Sequence, residues 1–497
     1  MRTRRTVLRQ LAATGLVAGP LGAPLAAQDR YDQAALLDFA PLGQITLLHY
    51  GDLHGMLRPH YLRPAAVKHG PDRVPNLTGE ALRIRYGVGG RTPMDAALTS
   101  EGFDALAEVY GPMGGLAHLA TLVAAIRTAR PGTVVIDGGS SDTPVVHEVL
   151  RPDVVPGDRA DLAGGAGAAQ TQGGWPVALA ARGGAQIAIV DLASPGGPPG
   201  GIDLAALQRD ITDLRQQGAG VIVALSQLGF EGDRALAGAV TGLDLILSGR
   251  DGAALPEPEG VADTRIIASG AQGRFVSRMD IQIDKGRMTD LHHKLIPVFS
   301  DLITPDAATL AQLPPIDATV LGTSDVILHH LDSFGGTWEA VIADALREEF
   351  GAQVALVAPL RAAPGILPGQ PITAHDVRLA AQSRWGRVQQ MSGAQIKEHL
   401  ENAAEAAFAK DPMARRTTRM MRAGGIRLTL QPAGAAGHRV SELALPGTGA
   451  PVADSDTLAV AVLGDGPKGT PLAEILTRYI TRRGRVTATP LPVRIMD

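Results

Sequence analysis

The sequence predicts an α/β protein of two layered domains behind an export leader. Three observations carry this. The chain of 497 residues exceeds one ordinary domain and suits two. Short β-branched strands alternate with amphipathic helices up to about residue 300. A stretch with Pro305, Pro314 and Pro315 then separates that run from a second set of helices and strands. The expected division is a leader over 1–27, a first domain over 28–300, a linker with a short helix over 301–325, and a second domain over 326–497.

The leader rests on Arg4 and Arg5, an apolar stretch over 11–25 and small residues at Ala26 and Ala27. This pattern reads as a twin-arginine signal and predicts a periplasmic protein exported in the folded state. No apolar run after residue 30 is long enough to span a bilayer, so no membrane span is expected. Hydrophobic residues make up 45%, enough for sizeable cores. A net charge of −4 argues against a nucleic-acid binder, which carries a basic excess. The chain has no cysteine, which excludes disulfides, thiolate metal ligands and a cysteine nucleophile.

In the first domain, strands are expected over 44–50, 133–137, 185–190, 221–225, 243–247, 265–268 and 275–283, with helices over 116–127 and 204–217. Residues 58–108 read as a long irregular excursion, and residues 151–175 as loop. In the second domain, helices are expected over 337–350, 393–409 and 471–482, and strands over 354–358, 426–430 and 457–462. Several of these strands end in polar turns, the place where open α/β sheets hold ligands. The first turn is Gly51-Asp52-Leu53-His54-Gly55. An aspartate and a histidine two apart at a strand end can face one metal ion.

The surroundings sharpen that pattern. Residues 47–64, 75–81, Tyr110-Gly111-Pro112-Met113-Gly114-Gly115-Leu116 and on to 122, and 293–300 resemble the Sox thiosulfohydrolase (SoxB-like) family of bacterial sulfur oxidation. Gly336-Thr337-Trp338-Glu339-Ala340, residues 367–373 and Arg422-Ala423-Gly424-Gly425-Ile426 extend the resemblance into the second domain. That family is a relative of the periplasmic 5′-nucleotidases, in the calcineurin-like metallophosphoesterase superfamily. The resemblance implies a metallophosphoesterase-type four-layer α/β/β/α sandwich, followed by a smaller α/β domain of the 5′-nucleotidase type. It also implies a reaction, the hydrolytic removal of sulfate from a cysteine S-sulfonate on a carrier protein. The family's cofactor is a pair of divalent ions, usually manganese. Such pairs sit roughly 3.5–4 Å apart and activate a water between them.

Here the chain departs from the family. Asp52 and His54 are kept, and Asp158 is an ambiguous third ligand. Ser140 stands where the family has the bridging aspartate, with Asp142 two residues beyond it. Gln227 and the pair Arg250 and Gly252 stand where it has histidines. Replacing a carboxylate by a hydroxyl removes a negative charge, and an arginine adds a permanent positive one. At about 4 Å, a unit charge repels a divalent ion by several kcal/mol even at an effective dielectric of about 20. The set is therefore expected to hold no metal, or one weakly bound divalent ion on Asp52, His54 and Asp158.

The resemblance also implies that Arg361 and Arg422 line the cleft and bind substrate, with His118 as a further contact. Arg415, Arg416, Arg419, Arg422 and Arg427 make a basic stretch whose guanidinium forks suit sulfonate or phosphate oxygens. Of the family's aromatic cleft segment only Trp385 is kept, within 383–387. The paired histidines His292-His293 and His329-His330 read as structural, because neighbouring side chains on a strand point to opposite faces. The expected reading is a non-hydrolytic homologue that binds a sulfur-carrier arm or a sulfonated anion. The alternative is an active hydrolase with a depleted site.

Overall fold

The computed structural model describes residues 31–496 except 67, 69–77, 140–142, 157–166, 193–201, 250–251 and 447–448. The leader expected over 1–27 lies outside the described residues.

The first domain is built on two sheets. Its strands are β1 (Ile45–Gly51), β2 (Val134–Gly138), β3 (Gly167–Gln170), β4 (Pro176–Arg182), β5 (Ala185–Asp191), β6 (Ala219–Ser226), β7 (Leu245–Ser248), β8 (Glu259–Val261), β9 (Thr264–Ala268), β10 (Phe275–Asp284) and β11 (Arg287–Pro297). One sheet has the order β11-β10-β1-β2 and the other β3-β4-β5-β6-β7-β9-β8. Every residue of β1 and β6 is buried, because both faces of each strand are covered. Alternation along β1 shows how. Leu47 joins Ile136, Ile189 and Val223 in the core between the sheets, while Leu48 packs under helix Leu116–Ala129. Helices Leu204–Gln216 and Phe230–Ala239 cover the outer face of the larger sheet. The result is the expected four layers, α/β/β/α.

Local chemistry sets the helix starts. Asp203 caps the helix Leu204–Gln216 by accepting from the amides of Ala205 and Ala206 at 2.9 and 3.0 Å. The excursion expected over 58–108 instead contains the short helices Gly79–Tyr86, Pro93–Leu98 and Phe103–Tyr110. Their apolar residues pack on Phe275, Leu295 and Phe299, so tertiary contact stabilises helices too short to show a periodic pattern. Gly167–Gln170, expected to be loop, is a strand paired with β4.

The second domain contains β12 (Val320–Ser324), β13 (Val354–Val357), β14 (Pro371–Thr373), β15 (Arg384–Ser392), β16 (Arg422–Gly424), β17 (Arg427–Leu430), β18 (Val440–Ala444), β19 (Thr457–Asp465), β20 (Thr470–Pro471), β21 (Arg485–Val486) and β22 (Val493–Ile495). Its central sheet has the order β16-β13-β19-β15-β20, flanked by the three-stranded sheets β14-β12-β21 and β18-β17-β22. Helices Thr337–Phe350 and Leu472–Arg483 pack on one face of the central sheet, and Gly393–Phe408 packs on the other. The strand β12, assigned to the linker by sequence, belongs to this domain through its pairing with β14 and β21. Among the described residues no helix is long and apolar enough to cross a membrane.

Where β1 ends, its backbone lies against that of Gly270. A Cβ on Gly51 would stand 1.8 Å from the Gly270 carbonyl oxygen. We expect Gly51→Ala to destabilise the first domain by about 1–3 kcal/mol through overpacking. An unchanged urea midpoint would refute that.

Candidate functional site

The carboxyl ends of β1, β2, β6 and β7 converge on one place. Beyond β1, Asp52 begins a tight turn. Its Oδ1 accepts from the His54 amide at 2.7 Å, and its Oδ2 lies 3.0 Å from His54 Nδ1. The turn needs a left-handed residue, and His54 adopts it with φ of 50°. A third group comes from the second domain. The Arg361 guanidinium approaches Asp52 Oδ2 at 3.7 Å, with its side chain 65% exposed. The Asp52 carbonyl accepts from the Gln272 amide at 2.6 Å.

Beyond β6, the Gln227 amide nitrogen donates to the carbonyl of Gly138 at the end of β2, at 2.8 Å. Glycines make room for it. A Cβ on Gly249 would lie 2.6 Å from that nitrogen, and one on Gly139 would lie 3.3 Å from it and 3.6 Å from Asp52 Cβ. Gln227 thus bridges strand ends and borders the same glycine as Asp52. Gly252 is tied to the scaffold by Arg274, which donates to its carbonyl at 2.9 Å. Ser140, Asp142, Asp158, Arg250 and Asp251 lie outside the described residues.

Among the described residues no three His, Asp or Glu side chains come together as a metal cluster. A divalent ion on Asp52 Oδ2 would have the His54 imidazole as a second donor and would stand beside the permanent charge of Arg361. The neighbouring Gln227 directs an N–H group into the strand ends. Of the described side chains at these strand ends, Asp52 and His54 could ligate a metal ion.

Of the three residues expected to bind substrate, Arg361 reaches the strand-end site. Arg422 does not, and here the structure corrects the sequence reading. It is 1% exposed, and its guanidinium donates to the carbonyls of Met420 and Asp332. Burial pushes it down to about 9, an effect that Glu339 opposes. A fork engaged with the main chain inside the core cannot receive an anion from solvent. His118 is also buried, in the first turn of the helix Leu116–Ala129, with its ring beside Gly115. Burial lowers its pKa, which favours the neutral ring.

The basic stretch disperses. Arg415 donates to the Ala409 carbonyl, Arg419 to those of His330 and Leu360, and Arg427 faces outward on β17. His329 and His330 are buried where the domains meet. His330 Nε2 lies 3.1 Å from Gln272 Nε2 of the first domain. Nearby, Asp332 accepts from the Ala66 amide at 2.6 Å and lies 3.4 Å from Arg63.

Sequence reasoning missed Gln272 and Asp137. The Asp137 carboxylate is fully buried, accepts from the Gly139 amide at 2.8 Å and lies 2.9 Å from His147 Nε2. An acid closing a buried strand was a legible signal for Asp137. Gln272 had none, because its role depends on a contact between domains.

Comparison with known proteins follows the same lines. Residues 320–464 match the family described as the 5′-nucleotidase C-terminal domain. No curated protein matches the chain in sequence. Among solved structures, the sulfate thiohydrolase SoxB of Thermus thermophilus is similar at 27% identity and a TM-score of 0.80, over 92% of this chain and 98% of that one. A 5′-nucleotidase precursor from the same organism shares the fold at 17% identity and a TM-score of 0.66, over 91% of this chain and 99% of that one. With the motifs, the four-layer sandwich and the matched second domain in hand, the chain is a SoxB-like protein of the 5′-nucleotidase superfamily.

Proposed function

We propose that this chain is a periplasmic SoxB-like protein of sulfur oxidation that has lost hydrolysis and binds a sulfonated anion or the arm of a sulfur-carrier protein. One observation carries the reading. Asp52, the kept acid of the strand-end site, is engaged by His54 and, from the second domain, by the Arg361 guanidinium. An arginine beside that carboxylate disfavours a cation and favours an anion. Arg361 is exposed enough to turn toward a ligand. The pair Arg4 and Arg5 supports export by the twin-arginine route.

A second reading rests on Asp52 and His54 being kept and lying 3.0 Å apart. In it, they hold one metal ion with Asp158, and the protein remains a thiosulfohydrolase or a 5′-nucleotidase-type hydrolase.

Metal analysis of the mature protein, purified without chelator from manganese-supplemented cells, separates the two. The first reading expects close to no manganese, no hydrolysis of a cysteine S-sulfonate or a nucleotide, and no hydrolytic change in Asp52→Ala. Stoichiometric metal, with activity that disappears in Asp52→Ala, would establish the second reading and reject the first.

A further inference from the structure

The outer face of the small sheet β18-β17-β22 carries a hollow of about 380 Å³, within the size range of small-molecule sites. Its construction follows from strand alternation. Leu428 and Leu430 of β17 point inward, to the core they share with helix Gly393–Phe408, so Arg427 and Thr429 point outward. Register places Glu442 of β18 and Arg494 of β22 on either side of Thr429. One row across the face therefore reads carboxylate, hydroxyl, guanidinium. Arg427 stands in the next row, beside Pro492 and Gly449, which also line the hollow. The Gly449 amide donates to the Leu445 carbonyl at 3.1 Å, and the Val452 amide donates to that of Leu443 at 2.8 Å.

The charges around this hollow are not used up by one another. Among the described residues neither Arg427 nor Arg494 has a carboxylate partner. Among the described residues Glu442 accepts only from Thr429 Oγ1, at 3.2 Å. Thr429 is 5% exposed and forms the floor. Glu442 and Arg494 are separated by two interstrand gaps, roughly 9.5 Å at the backbone. Their side chains can therefore grip opposite ends of a molecule a few bonds long.

We propose that this face binds a small zwitterion, with a sulfonate or carboxylate on Arg494 and Arg427 and a protonated amine on Glu442. The site is independent of the strand-end site and shares no residue with it. Two guanidiniums supply directional donors to the anion, and the carboxylate excludes simple anions that bring no counter-cation.

The test is titration of the full mature chain, followed by calorimetry or NMR, with taurine, β-alanine and methanesulfonate as probes. Taurine or β-alanine should bind at least about tenfold more tightly than methanesulfonate, since a charge-assisted bond to Glu442 is lost with the amine. Arg494→Ala should weaken binding of the zwitterion by a similar factor. Glu442→Gln should erase the preference over methanesulfonate. These side chains are exposed, so the unfolding midpoint should not move, and it serves as the control for folding. The proposal is overturned if neither zwitterion binds, if methanesulfonate binds as tightly as taurine, or if binding persists in both Arg427→Ala and Arg494→Ala.

Discussion

Acidification from pH 7 to pH 5 should remove about 6 kcal/mol of folding stability through three buried imidazoles. Burial lowers His49 to about 4, although Asp137 opposes it. Burial lowers His60 to about 3, helped by repulsion from His375, and lowers His293 to about 4. Each ring accepts a proton at its ordinary pKa, near 6.5, only when the chain unfolds. The folded values are depressed, so the unfolded chain binds more protons below pH 6.5. The stabilisation is whole above that pH and is lost as pH falls toward 4. At pH 5 the loss is about 2 kcal/mol for each ring. Set against a typical total of about 5–15 kcal/mol, this brings the fold near its acid midpoint.

Two of the rings belong to one buried chain of hydrogen bonds. His49 Nδ1 lies 2.7 Å from Ser269 Oγ, which donates to Ser277 Oγ at 2.8 Å, and His293 Nε2 lies 3.2 Å from the same Ser277 oxygen. Replacing His293 by Gln keeps a polar partner for Ser277 and removes the titrating group. We expect His293→Gln to recover about 2 kcal/mol of the acid loss, read as the urea midpoint at pH 5 against pH 7. A stability profile that is flat between these pH values would rule out this account.

Trp338→Ala should cost the second domain about 3–5 kcal/mol. This side chain is fully buried in the cluster formed by helices Thr337–Phe350 and Leu472–Arg483 over the central sheet. Its indole N–H donates to the Pro364 carbonyl at 2.7 Å. That bond fixes the start of the segment whose Gly365 pairs with Tyr61 of the first domain. Trp338→Phe keeps most of the volume and abandons the bond, so it should cost less, about 1–3 kcal/mol. Equal losses in the two variants would mean that the hydrogen bond, and not the cavity, dominates.

Much of the scaffold was legible because its causes are local. The apolar runs of β1 and β6 announced strands, and the helix expected over 204–217 is observed over Leu204–Gln216. The helix Thr337–Phe350 falls where its periodicity placed it. The turn Asp52-Leu53-His54 marked the strand end around which the candidate site is built. The same letters, however, misplaced Arg422. An arginine reads as a surface cation until its surroundings are known, and here main-chain carbonyls line the pocket that holds it. The short helices between 79 and 110 also escaped notice, because their stability comes from Phe275, Leu295 and Phe299, far along the chain.

The sequence by itself determined the α/β layering, the two-domain order and the absence of cysteine chemistry. These follow from residue type and short-range pattern. The tertiary structure alone decided that Arg361, more than three hundred positions away, stands beside Asp52, that Gln227 spans to Gly138, and that Glu442, Thr429 and Arg494 share one row. Such contacts depend on how sheets stack and which strands pair. Those outcomes are set by burial of apolar surface over the whole chain, which no local stretch encodes.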